Sequence, residues 1–167
     1  MIDRICQFSP DRKYRYTLWR EWTLTDLFPD VISGTLMVIG LNPSIADETQ
    51  DDPTIRRCVS FAKAWGYAAL CMTNVFAWRD TDPGEMKMQQ EPCGPDNDIW
   101  LRRCADEASM ILAAWGTHGT HHGGANAVED LLSDKTIYCL GRTKDGHPKH
   151  PLYIASKTKP EIYKEAR

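Results

Sequence analysis

The side chains best suited to chemistry fall in four places, each directly after a short apolar run. Gly40-Leu41-Asn42-Pro43-Ser44 follows the run 35–39 and leads through Asp47 to Asp51-Asp52-Pro53. Asn74-Val75-Phe76-Ala77-Trp78-Arg79 follows the run 68–73. Trp115-Gly116-Thr117-His118 follows 110–114, and Gly141-Arg142-Thr143-Lys144 opens a loop after 136–140 that reaches His150-Pro151.

Each group has a chemistry open to it and a plainer structural use. The Asn42 amide suits positioning of a water or a ligand, or turn hydrogen bonds before a proline. Asp47 and Asp51 suit a general base or a metal site, whereas Asp52 before Pro53 has the form of a helix N-cap. Asn74 carries a donor and an acceptor, the pattern that pairs with a nucleobase edge. Phe76 and Trp78 suit stacking on a planar ligand or closure of the core under a loop. Arg142, Lys144, His147, Lys149 and His150 suit an anionic ligand or a phosphate backbone, and a His150 imidazole suits stabilisation of a developing anion. His118, His121 and His122 lack a closed metal-site spacing, and a glycine-rich loop entering a helix and facing phosphate fits them better. No metal and no cofactor are expected.

The elements that must hold these groups alternate. Apolar runs at 35–39, 68–73, 110–114 and 136–140 read as buried strands. Helical spacing follows at 53–65, ended by Gly66, from Pro95, and around 125–132. The strands are apolar throughout instead of alternating, which is the mark of a parallel sheet covered on both faces. Residues 5–9 and 14–20 predict an N-terminal β-hairpin on an edge of the sheet, with Tyr14, Tyr16 and Leu18 on an apolar face and Arg15 and Thr17 on a polar one. Residues 22–29 fit a short helix or a loop. Residues 86–90 are too short for a convincing helix, and the charged tail 156–167 reads as a short terminal helix. The expected fold is a single three-layer α/β/α domain over 1–167, with the hairpin in 1–22, the core in 35–153 and a central, mainly parallel four-stranded sheet. Parallel crossovers would bring all four polar stretches to one rim.

The bulk composition sets limits. With 42% hydrophobic and 26% charged residues the chain is globular, and a net charge of −3 counts against a tight non-specific DNA binder without excluding a local basic groove. No apolar stretch approaches the roughly 20 residues of a membrane helix, and the N-terminus does not read as a signal peptide, so a cytoplasmic protein is expected. The six cysteines stand singly and read as reduced, mostly buried thiols.

The strand-end motifs resemble those of the uracil-DNA glycosylase superfamily. Gly40-Leu41-Asn42-Pro43 is similar to its Gly-x-Asn-Pro turn, and residues 73–79 to the middle segment in which an Asn reads the pyrimidine. Residues 113–116 are similar to the strand-end glycine region, and His150-Pro151 falls where a closing His-Pro motif would. Residues 41–47, 51–57, 73–79 and 143–153 more closely resemble a bacterial and phage family catalogued as domain of unknown function 1643.

The glycosylase resemblance implies a uracil-DNA-glycosylase-like fold and a set of roles. Asn42 would position water, Asn74 bind the Watson–Crick edge of an extruded base, Phe76 stack on it and His150 stabilise charge on the leaving base. Gly40, Leu41, Pro43, Ser44, Arg79, Trp115 and Gly116 would complete the substrate site, with Asp47 and Asp51 as further catalytic candidates. Arg56, Arg57, Arg142, Thr143, Lys144 and Lys149, together with Arg79, would meet phosphates. Asn42 stands where the most active branch has a water-activating Asp, and Ser44 where a second glycine is usual. The resulting expectation is an N-glycosidase that releases a normal or modified base from DNA, possibly single-stranded or modified, or from a free nucleotide. The alternatives are a catalytically silent nucleic-acid or nucleotide sensor and a metal-dependent hydrolase.

Overall fold

Four strands built around continuous apolar runs form the middle of the sheet: β3 (Ile32–Gly40), β4 (Tyr67–Asn74), β5 (Met110–Ala113) and β6 (Ile137–Cys139). The structure is a computed structural model that describes residues 2–22 and 32–167. The stretch read as a short helix or a loop therefore lies, beyond Trp22, outside the described residues. β4, β3, β5 and β6 pair parallel in that order. Three further strands extend the sheet with antiparallel pairing: β1 (Ile2–Phe8) and β2 (Arg15–Trp22) beside β4, and β7 (Glu161–Lys164) beside β6.

The sheet thus has seven strands, order β1-β2-β4-β3-β5-β6-β7, and is mixed, where a four-stranded one was expected. The hairpin is an integral part of it. The tail is a strand and not a helix, with a physical reason on each side of the pairing. β6 is only three residues long and would leave an open edge, while Tyr163 alternates out of a charged run to pack in the core.

Alternation along β3 supplies both faces. Met37 and Ile39 pack with Leu101 and Cys104 of α3 (Asn97–Glu107) and Val128 of α4 (Gly124–Leu131). Leu36 and Val38 pack on the opposite face with Ile55, Cys58, Phe61 and Ala62 of α1 (Pro53–Ala64). Each such side chain removed from water contributes about 1.5–3 kcal/mol, and burial on both faces is why the strands show no polar alternation. The α1 boundaries follow the sequence signals. Asp52 Oδ1 accepts from the Ile55 N–H at 2.9 Å, Pro53 takes the first turn, and Gly66 leaves the helix at φ 82°. A five-residue helix α2 (Pro83–Lys87) takes in the first two residues of the stretch judged too short for one, its start capped by Asp82, which accepts from Gly84 N–H at 2.7 Å.

Cys58, Cys71, Cys104 and Cys139 are free and buried, and burial pushes the Cys58 thiol up to about 12. Among the described residues no helix is long and apolar enough to cross a membrane.

Candidate active site

The carboxyl ends of the parallel strands open onto a cavity of about 540 Å³, within the range of small-molecule sites. Gly40, Leu41, Asn42 and Ser44 line it from the end of β3, Met72 and Asn74 from β4, and Trp115, Gly116 and His118 from the segment after β5. Asp52–Ile55 at the start of α1 and His150, Leu152 and Tyr153 close it, and Arg15 reaches it from β2.

Asn74 is fixed by its backbone and left unmatched by its side chain. The Asn97 amide donates to the Asn74 and Val75 carbonyls at 3.0 and 3.1 Å. Val75 and Phe76 N–H groups donate to the Gly40 and Leu41 carbonyls, each at 2.9 Å, which zips the two strand ends together. A Cβ on Gly40 would stand 2.7 Å from Met72 Cε and 2.8 Å from Asn74 Oδ1, so glycine is what lets Asn74 lie against β3. Asn74 is 1% exposed, and its Nδ2 has no partner. Leaving such a donor unmade costs about 1–3 kcal/mol, a cost that a ligand acceptor in the cavity would offset.

His150 presents the other donor. The Leu152 N–H donates to His150 Nδ1 at 3.3 Å, which puts the imidazole proton on Nε2 in the neutral ring. Burial lowers the His150 pKa, and the nearby Asp52 charge only partly opposes this.

Asn42 lines the cavity while its amide nitrogen is engaged elsewhere. Nδ2 donates to the Asp80 carbonyl at 2.9 Å and the Pro43 carbonyl at 3.3 Å, clipping the 78–80 loop to the β3 turn. Only its oxygen is free of that clip.

Several expected site residues are elsewhere. Asp47 Oδ1 accepts from Thr49 N, Thr49 Oγ1 and Gln50 N at 2.7, 2.8 and 3.0 Å, and these bonds hold its carboxyl below the usual range. Asp51 pairs with Arg20 at 2.7 Å and Arg4 at 3.3 Å. Neither lines the cavity, and both organise the acidic loop. Phe76 is fully buried, its ring edge-to-face with His121 at 5.7 Å, so it closes the core and cannot stack on a cavity ligand. Pro43 is buried behind the wall, where its carbonyl accepts from Asp80 N–H. Arg79 lies over the Phe8 ring at 4.7 Å, in a separate shallow depression.

The expected phosphate contacts are likewise mostly engaged. Arg56 donates to the Asp51 carbonyl at 2.6 Å, and Arg57 donates to the Ile154 carbonyl and to Ser156 Oγ. Arg142 donates to the Ile162 and Tyr163 carbonyls. Thr143 Oγ1 accepts from the His147 N–H at 3.1 Å. Lys144 and Lys149 are exposed, and none of these six lines the cavity. Among the described residues no three His, Cys, Asp or Glu side chains group as a metal site.

Three charged residues of the cavity wall, Asp52, Asp80 and Arg15, escaped the sequence reading. Asp52 is both helix cap and wall. Arg15 and Thr17 were assigned to a polar hairpin face, yet they are 2% and 1% exposed, because β2 lies inside the sheet between β1 and β4 and is buried on both faces. Burial depresses the Arg15 pKa to about 10.

A family model described as "Protein of unknown function (DUF1643)" matches residues 15–152, and the chain belongs to that family. No curated protein and no solved structure matches.

Proposed function

We propose that this cavity holds a nucleobase and that the chain hydrolyses the N-glycosidic bond joining it to a sugar. The observation that carries the reading is Asn74, a buried amide with an unmatched donor on the wall of a small-molecule-sized cavity. An Asn offers the donor and acceptor that a base edge requires, and the motif resemblance assigns the same residue that role. In the reaction the C1′–N bond breaks with its electron pair going to the base. Water oxygen bonds C1′, and the proton lost by water ends on the released base. His150 Nε2–H stabilises the anion developing on the leaving base, and the free Asn42 oxygen accepts from the attacking water. Trp115, buried and on the same cavity wall as Asn74, takes the aromatic role that Phe76 does not. Engagement of Arg57, Arg79 and Arg142 within the fold favours a free nucleotide or a locally unpaired base over a duplex gripped along its backbone.

The Asn42 clip favours a second reading, a nucleotide-sensing module of the same architecture, because no carboxylate occupies the water-positioning site. The two separate on incubation of the full chain with mononucleotides and with single-stranded oligonucleotides containing uracil or modified bases. Chromatography of free base and scission at abasic sites provide the readout. The glycosidase reading expects base release that falls by about 100-fold or more in Asn74→Ala and His150→Ala. Nucleotide binding in the cavity without release from any substrate contradicts it and supports the sensor.

A further inference from the structure

Two arginines of β2 are buried to nearly the same degree and matched very differently. Arg20 donates from Nε to Asp51 at 2.8 Å, from Nη1 to the Trp19 carbonyl at 2.8 Å and from Nη2 to the Asp47 carbonyl at 2.5 Å. Its charge and its donors are met. Arg15 has one protein acceptor, the Ala46 carbonyl at 2.6 Å, and its Nε is buried with no partner. Among the described residues it forms no ion pair; Asp52 acts on it electrostatically from beyond ion-pair distance. Burying an unpaired guanidinium is strongly unfavourable, and a planar fork with open donors is the group that best accepts a phosphate or carboxylate. Arg15 shares its cavity with Asn74 and His150.

We infer that Arg15 is the anion-binding end of the cavity and that the ligand is a nucleoside monophosphate, its phosphate on the Arg15 guanidinium and its base on Asn74. The second half of this assignment rests on the proposed nucleobase reading; the first does not. It also explains how a chain of net charge −3 whose Arg56, Arg57, Arg79 and Arg142 are engaged in the fold takes an anionic substrate: the cation that counts is inside.

Calorimetric titration of the full chain with a nucleoside, its 5′-monophosphate and inorganic phosphate tests the assignment. On the wild type the monophosphate binds at least about tenfold more tightly than the nucleoside, the worth of a charged hydrogen-bonded contact. Added inorganic phosphate weakens monophosphate binding and leaves nucleoside binding unchanged. In Arg15→Gln the two ligands become equal, and Arg15→Lys, which keeps the charge but not the fork, falls between. Equal affinities on the wild type overturn the assignment, as does a monophosphate preference that survives in folded Arg15→Gln. The phosphate-competition arm needs no variant, so a variant that does not fold leaves it decisive. Binding of inorganic phosphate that depends on Arg15, without any binding of nucleoside or free base, upholds the anion site and overturns the nucleobase reading.

Discussion

At the scale of single residues, the molecule separates side chains that hold the loops from side chains that face the cavity. Asp51 belongs to the first group, because it neutralises Arg20 across a 2.7 Å contact while Arg4 closes over it. Breaking a buried pair from one side leaves the other charge stranded. Asp51→Asn is therefore expected to cost about 3 kcal/mol in a denaturant titration, while nucleotide affinity of the folded variant stays near wild type. A catalytic Asp51 would give the opposite pattern. His150 belongs to the second group, and its depressed pKa has a definite sign in stability. Below the ordinary value of 6.5 the unfolded chain takes up a proton that the folded chain refuses until lower pH. Its contribution is present in full above that value and is lost as pH falls through the depressed one. The difference in melting temperature between wild type and His150→Asn should shift with acidification in that window, against the wild type. Parallel curves would show that burial does not depress His150.

At the scale of elements, α1 does two jobs with one residue. Asp52 caps the helix through Ile55 N–H and stands in the cavity wall within electrostatic reach of Arg15 and His150. Two substitutions separate the jobs. Asp52→Ala removes the cap and should cost about 1 kcal/mol. Asp52→Asn keeps a capping side chain, so stability stays near wild type. It also removes a negative charge beside the anion site, so inorganic phosphate should bind more tightly to it than to wild type. Weaker phosphate binding in Asp52→Asn would mean that the Asp52 carboxylate orders the site instead of opposing the ligand. The same element shows how far local signals reach. Asp52-Pro53 and Gly66 mark its ends in the sequence because capping and left-handed backbone are short-range requirements. The second covered face of β2 has no such signature, since it is set by what packs on the strand from elsewhere in the chain, and that hid Arg15.

At the scale of the whole molecule, the central strands were readable because burial on both faces demands continuous apolar runs, and parallel connection then brings their ends together. That is how Asn42, Asn74, Trp115, Gly116 and His150 were found to share one rim, and they do line one cavity. The rest depended on long-range choices. The edge strand β7 is four residues of a charged tail whose partner lies more than 20 residues upstream, in β6. Which of Phe76 and Trp115 faces the cavity is decided by how the chain leaves each strand: Phe76 turns inward against Gly124, where a Cβ would stand 2.6 Å from its Cζ. The matched family span opens at Arg15 and closes at Leu152, two residues of the cavity wall. This wall, assembled from stretches of the chain between Arg15 and Tyr153, is the proposed nucleobase site. The decisive experiment is a crystal structure of the full chain soaked with a nucleoside monophosphate. The base edge is expected within hydrogen-bond distance of Asn74 Nδ2, with His150 Nε2 facing the base. A nucleotide seated outside the cavity, or inside it with the base turned away from Asn74, would contradict the nucleobase assignment.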